Sequence, residues 1–488
     1  MRMTRRKWIA AAASLVPAWF LGRPAVHLAR TAIADGPGLP AVPVGKMDDA
    51  SRMNESDVDR IVLVRGPRAE AERTIADALA DARARKLAVS VAGARHAMGG
   101  HAIAKGGVVL DMTGVDHAVL DEAANRLTCG AGARWHDLID VLDPKRRAIA
   151  VMQSNDSFSV GGSLSVNCHG WQPNRPPIAS TVQALRVVRA DGTAVDLRRG
   201  DELFSLILGG YGLFGVIVEA TLDVVPNVGY VASQFGTTPA EYVATFRERA
   251  TGADVGMAFG RLSVDPDAFL EDAILTVYRD DPTATALPPV GERDSSRIAR
   301  LLFRGEVESS YGKHLRWSVE RHLGNEGGSK ATRNQLLREP VTLFQNRRPE
   351  MTDILHEYFV PADRFASFVD RLKRTLPASG ADLLNVTVRN VSADTDTFLA
   401  YATTDVFSFV MLFSQRRTPE GETAMTKVTR DLVDAALAEG GRYYLPYRLH
   451  PTKEQLLRAY PRFAEFTERK RALDPNLVFQ NELWRTYA

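Results

Sequence analysis

The chain has 488 residues, 45% apolar and 25% charged, the balance of a globular protein and too long for one typical domain. Its 61 basic and 59 acidic residues leave a net charge of +2, which argues against a nucleic-acid binder. Two cysteines, Cys129 and Cys168, exclude a disulfide framework and a cysteine-rich metal site, leaving one disulfide or two buried thiols open.

The N-terminus reads as a targeting segment. Arg5 and Arg6 form a paired-arginine start, residues 9–21 are a short apolar run, and Ala32-Ile33-Ala34 fits a small-residue cleavage site. The run is shorter than the ~20 residues of a membrane span. Residues 1–34 are therefore expected to be a twin-arginine signal peptide, with the protein exported to the periplasm. An uncleaved N-terminal membrane anchor is the alternative, because Arg23 and Arg30 lie between the run and the cut. Residues 35–54, with Gly36, Pro37, Gly38, Pro40 and Pro43, are expected to be a linker.

A helix is expected over 67–86, with Ala71, Ile75, Ala78, Leu79 and Ala82 at helical spacing. Residues 89–92 and 108–112 are β-rich and flank a loop carrying Gly93, His96, Gly99 and Gly100. Such a loop can turn successive backbone N–H groups inward and hold an anion, most often a phosphate. Strands are expected at 117–120 and 126–129, and a helix at 135–142. A second glycine turn follows at Val160, Gly161, Gly162 and Ser163. Asp191-Gly192 between apolar runs predicts a hairpin, and Asp201 is placed to cap a helix ending near Leu208. A third glycine loop, 209–215, leads into a strand ending near Pro226.

Beyond Pro226 the glycine loops stop. Residues 281–340 include a polar, breaker-rich surface segment; strands are expected at 354–361, 383–391 and 406–413, and helices at 365–376 and 422–438. This predicts an α+β second domain whose apolar central strands face the first.

Each glycine loop alone is a weak signal, and none has the spacing of a Walker loop or a G-x-G-x-x-G nicotinamide site. Their order is specific. S-V-A-G-x-R-H-x-M-G-G, G-G-V-V-L-D-M, V-G-G-S-L-S, H-G and G-G-x-G-x-F-G-V-I resemble the vanillyl-alcohol oxidase / p-cresol methylhydroxylase flavoprotein superfamily, near cytokinin dehydrogenases and sugar-alcohol and aldonolactone oxidases. The closing L-D-P-N-L-V-F-Q-N segment is similar too.

The resemblance implies an α+β fold: a two-lobed PCMH-type FAD-binding domain over 55–226, a substrate (cap) domain over 227–440 with an antiparallel sheet over the flavin, and a C-terminal segment, 441–488, returning to the FAD domain. It places FAD against Ala92, Gly93, Ala94, Arg95, His96, Ala97, Met98 and Gly99. Val160, Gly161, Gly162, Ser163, Ser165 and His169 form the second wall, Gly212, Gly215, Val216 and Ile217 the third, with Asn481 at the end. His96 stands where covalent members join histidine to the flavin methyl group; Arg95 stands where they usually carry glycine, and a histidine that only hydrogen-bonds in the loop is the other reading.

The same resemblance proposes Arg389, Arg448, Ser165 and Tyr444 as catalytic, with Tyr447 beside them. Arg389 falls in the arginine position of a Glu-x-Arg pair whose acid is Thr387 here. Arg448 replaces a lysine. The aspartate that cytokinin dehydrogenases use is met without a gap by Ser154, and by Asp156 only if the loop is two residues shorter. The implied reaction is transfer of a hydride from a CH–OH group of a small, sugar-like alcohol to flavin N5, with oxygen, a quinone or another carrier as acceptor. Cytokinin-dehydrogenase-like CH–NH oxidation and a non-catalytic flavin-binding electron-transfer protein are the alternatives.

Overall fold

The structure, a computed structural model, describes residues 22–488 apart from 37, 292–296, 324–327 and 342–343. The paired arginines and the apolar run lie outside the described residues. Among those described, no helix is long and apolar enough to cross a membrane.

Three sheets organise the chain. The first is parallel, with Val108–Gly114 between Arg60–Arg65 and Val89–Ala92. A central parallel strand is covered on both faces, so it reads as a continuous apolar run. The helix Arg68–Ala84 covers one face through Ala71, Ile75, Leu79 and Ala82. The outer edge is closed from far away: Val89 N–H donates to the Val478 carbonyl at 2.7 Å, and Phe479 bridges to Val89 in parallel. Val478 and Phe479 belong to this lobe's own core, with Ile75, Leu79 and Leu110.

The second sheet is antiparallel. Its spine is Val216–Pro226, which pairs with Val182–Val188, Arg126–Gly130 and Arg147–Ile149. The Asp191-Gly192 hairpin joins Val182–Val188 to Ala194–Arg198. Asp201 does precede the helix Glu202–Ile207, but its carboxylate accepts from Arg198 N–H rather than from the helix's first turn.

The third sheet has eight antiparallel strands. Their order is Lys330–Thr332, Gly229–Thr237, Ala273–Asp280, Val255–Leu262, Asp382–Val391, Val406–Arg416, Met351–Pro361 and Arg442–Tyr443. Helices Phe365–Ser379 and Pro419–Ala438 pack on one face, where Phe365 and Phe368 meet Phe409. The other face looks toward the glycine loops. The second and third sheets share one continuous core, whereas the parallel lobe has a separate one.

Two stretches depart from expectation. The second half of the 35–54 linker is built into the fold. Lys46–Met47 pairs with Ser56–Asp57, and buried Asp49 accepts N–H groups from Ser51 and Gly100 and an amide bond from Asn54. The 281–340 segment is not only surface: helices Arg297–Arg304 and Ser310–Leu323 carry buried Arg300, Arg304 and Trp317. Their charges are met by partners, which is what lets them be buried. Residues 22–34 form a helix in which His27 Nε2 lies 3.0 Å from the Gly305 carbonyl, and Asp35 just after it pairs with Arg300 at 2.6 Å. Both cysteines are buried free thiols.

Candidate active site

The first two glycine loops lock onto each other through one serine. Ser159 Oγ accepts the Ala94 N–H at 3.2 Å, and a Cβ on Gly93 would lie 2.1 Å from that oxygen. Gly161 N–H donates to the Ala131 carbonyl at 2.8 Å, and a Cβ there would lie 2.8 Å from the Ala131 methyl group. Arg95 sits at φ 59°, a left-handed conformation that a non-glycine residue holds at a cost. In the third loop Gly215 needs φ 157°, and a Cβ would lie 2.7 Å from Val187 Cγ1.

These backbone walls enclose a cavity of about 240 Å3. Ala92, Gly93, Ala94, Arg95, His96, Ala97, Gly161, Gly162, Ser163, Ser165, His169, Gly212, Gly215 and Ile217 line it. Five residues expected there do not. Met98 lines a different cavity, donating its N–H to the Pro446 carbonyl. Gly99 is packed against the Tyr447 carbonyl. Val160 and Val216 turn into the core. Asn481 caps the last helix at Trp484 N–H and donates to the Tyr211 carbonyl, so it holds the third loop from behind.

A second cavity of about 940 Å3 lies over the eight-stranded sheet. The two meet at Ala94, Arg95, His96, Ser154, Asn155, Phe158, Leu355, Arg389 and Val410, which line both. The His96 ring stacks on Phe158, centroids 3.9 Å apart. Burial, with the nearby Arg134 charge, lowers the His96 pKa to about 4, so its imidazole is neutral at physiological pH. Ser165 and Tyr444, expected against substrate, line only the smaller cavity, and Tyr444 donates its hydroxyl to the Val166 carbonyl at 2.7 Å. Arg448 lines neither: it is held by Glu422 and by Asn54 Oδ1 at the seam between the chain's ends. Asp156 also lines neither, whereas Ser154 lines both and accepts from Arg389 Nη2 at 2.9 Å. Of the two positions weighed for that loop, Ser154 and not Asp156 therefore stands at the cavities.

Charge at the junction is asymmetric. Arg389 donates to the His169 carbonyl at 3.3 Å and to Ser154, no carboxylate bonds it among the described residues, and its Nε has no partner. Beside it, His169 Nε2 lies 2.5 Å from Glu357 Oε1, both residues under 5% exposed. Ser408 and Tyr447 hydroxyls donate to the same carboxylate at 2.5 and 3.1 Å. Burial alone would raise the Glu357 pKa, but His169, Arg389 and Ser408 together hold it below the ordinary carboxylate range. Glu357 lies in the strand expected at 354–361 but carried no assigned role. Its signal was an acid, one of two with Asp353, inside an 11-residue strand that is otherwise largely buried.

Residues 67–198 match the FAD binding domain family. The chain is 25% identical over 406 residues to an uncharacterised oxidoreductase of the fasciation locus of Rhodococcoides fascians, covering 80% of this chain and 86% of that one. It is 25% identical over 431 residues to L-gulono-1,4-lactone dehydrogenase of Mycobacterium tuberculosis, covering 86% and 94%. Alditol oxidase of a Streptomyces species is 31% identical over 107 residues, 22% of this chain and 26% of that one.

The chain is an FAD-dependent oxidoreductase with homologues among the PCMH-type enzymes. Its residues fit the cofactor. The smaller cavity is walled by glycine and alanine, and at Gly93, Gly161 and Gly215 a Cβ would collide with Ser159, Ala131 or Val187, so the main chain itself forms much of the wall, as close backbone approach to a dinucleotide requires. It also offers buried polar atoms with no protein partner, Arg389 Nε and His169 Nδ1. In this flavoenzyme the first loop would hold the FAD pyrophosphate, and His96 and Arg389 would stand where the two cavities join.

Proposed function

We propose that this flavoenzyme oxidises a CH–OH group of a small-molecule alcohol to a carbonyl. The relatives named for a lactone dehydrogenase and an alditol oxidase support sugar-derived alcohols as the first class to try. The observation that carries the reading is Arg389, a mostly buried cation on the wall of both cavities that no carboxylate bonds among the described residues.

FAD supplies the two-electron hydride acceptor when bound. The chain's part is positioning and charge. Arg389 binds the substrate oxygen and stabilises the negative charge that develops on it as the C–H hydride and the O–H proton depart and the C=O bond forms. Glu357 and His169, on the same cavity as Arg389, form an ionisable couple through which that proton can leave. His96, neutral and stacked at the junction, is a competent nucleophile for a covalent bond to the flavin methyl group. The N-terminal pattern supports export by the twin-arginine route, and oxygen or a quinone would reoxidise the flavin.

Anaerobic mixing of the purified holoenzyme with an alcohol panel tests this. Loss of the oxidised-flavin absorbance together with formation of the matching aldehyde, ketone or lactone is expected. Bleaching by allylic or aryl amines alone would replace the reading with CH–NH oxidation, and no bleaching by any donor would favour a non-catalytic flavoprotein. Acid precipitation decides the His96 bond: flavin retained in the pellet supports it, and complete release refutes it.

A further inference from the structure

We propose that the larger cavity selects an alcohol built on an apolar ring body bigger than a sugar, seated against Trp171 and Phe259 with its carbinol carbon at Arg389. This rests on the CH–OH reading and narrows it.

The cavity floor comes from sheet register. Gln234, Thr276 and Phe259 form one cross-strand row. Ile274, Arg261, Thr387 and Val410 form the next. Cross-strand partners share a face of an antiparallel sheet, so both rows face the cavity. Phe259 stacks on Trp171 with centroids 4.6 Å apart and planes 30° apart, giving a flat aromatic wall. Phe303, Phe344 and Val319 continue the apolar lining.

Three charged side chains of this cavity, Arg261, Arg316 and Glu320, are committed to one another and to Glu306, whereas Arg95 and Arg389 stand at the end shared with the smaller cavity. Arg261 donates to Glu320 Oε1 at 2.9 Å and to Thr387 Oγ1 at 3.1 Å. Arg316 donates to Glu306 at 2.6 Å and to Glu320 at 2.8 Å. Thr387, where sugar-alcohol oxidases carry an acid, therefore serves Arg261 instead. A hydroxyl-dense molecule must find a partner for every O–H it buries, and each failure costs affinity. These guanidinium and carboxylate groups are already paired. The indole N–H of Trp171 is buried without a partner, which suits a single acceptor on an otherwise apolar body. At about 940 Å3 the cavity stands near the top of the range for drug-sized ligands.

The test uses the holoenzyme and anaerobic flavin reduction with four donors: xylitol, L-gulono-1,4-lactone, cyclohexylmethanol and a fused-ring secondary alcohol. The ring alcohols are expected to give kcat/KM at least about 10-fold above the two sugar-derived donors, the scale on which apolar pockets discriminate. Val319→Trp, a half-buried helix position, narrows the cavity and should lower the ratio of ring-alcohol to xylitol kcat/KM by about 10-fold or more. Phe259→Ala removes half of the aromatic wall and should raise KM for the ring alcohols more than it lowers kcat. If Phe259→Ala fails to fold, Val319→Trp carries the test, and perturbation of the oxidised-flavin absorption spectrum by cyclohexanone, a ring probe with no carbinol hydride to donate, gives a binding readout free of turnover. Preference for xylitol or the lactone, with the ratio unmoved by Val319→Trp, overturns this proposal and leaves CH–OH oxidation standing. Failure of all four donors, while amines reduce the flavin, overturns the CH–OH reading itself.

Discussion

The two cavities of this enzyme are built in opposite ways. The smaller is walled largely by backbone: glycines and alanines from three loops, the first two tied by Ser159 and the third to the second by the Tyr211 N–H on the Ser165 carbonyl. The larger is walled by side chains that project from cross-strand rows of one sheet, and among its charges Arg261, Arg316 and Glu320 are paired. A backbone wall can accept only what leaves room for the main chain, so it suits an invariant cofactor. A side-chain wall changes with single substitutions, so it suits a substrate that differs between relatives. Arg389 belongs to both and balances neither.

That contrast can be broken at its hinge. Arg389→Met keeps the bulk and removes the charge; flavin reduction by substrate should slow about 10²–10³-fold, on the order of 3–4 kcal/mol of lost stabilisation, while flavin content stays near that of the parent. A variant equally fast in stopped flow would remove Arg389 from the chemistry. The backbone wall is the next target. Gly161→Val would drive a branched side chain into Ala131 and should cost about 2–3 kcal/mol, about 30–150-fold in flavin retention. The ratio of flavin absorbance to protein absorbance after gel filtration measures it, and full loading would contradict the cradle.

The side-chain wall has a pH signature. Burial pushes the Glu306 pKa up to about 7, against the opposing pull of Arg316. Its folded-state pKa lies above the ordinary 4.5, so the folded protein holds that proton longer than the unfolded chain. Stability from this group is therefore full below about pH 4.5 and declines as pH rises toward 7. Glu306→Gln should flatten that decline, by on the order of 1 kcal/mol after the cluster relaxes, in melting curves taken across this range. An unchanged slope would mean Glu306 is ionised throughout. The smallest effect belongs to Arg448, outside both cavities. Arg448→Met should change turnover less than about two-fold and lower stability by about 1 kcal/mol through loss of its pair with Glu422. A hundred-fold loss of rate would return Arg448 to the catalytic site.

The same contrast explains what was legible in the sequence. A backbone wall writes itself as local glycine patterns, so all three loops, the hairpin at Asp191-Gly192 and the strand ending at Pro226 could be placed from residue types and spacing. A side-chain wall does not. Arg261 and Thr387 face each other across the sheet, 126 positions apart in the chain, and only strand register brings them together. The strands Gly229–Thr237, Val255–Leu262 and Ala273–Asp280 were missed because glycine and polar residues, such as Gly236, Gln234, Gly256, Gly260 and Thr276, interrupt their apolar alternation. Arg448 was misplaced because alignment to a lysine fixes a position along the chain, not the direction of a side chain, and Glu422 claims this one. The buried Asp49 turn was hidden by the glycines and prolines just before it.

The strand edge closed by Val478 and Phe479 sets an order of events. Val89, which starts the strand leading into the first glycine loop, is made long before the residues that complete its sheet. Asn481, which braces the third loop at Tyr211, follows them in the chain. All three cofactor loops are thus synthesised before the edge and the brace that fix them. Flavin retention is therefore expected to depend on residues outside the cavity, and truncation after Val478 should leave a colourless protein even though every residue lining the smaller cavity is still present.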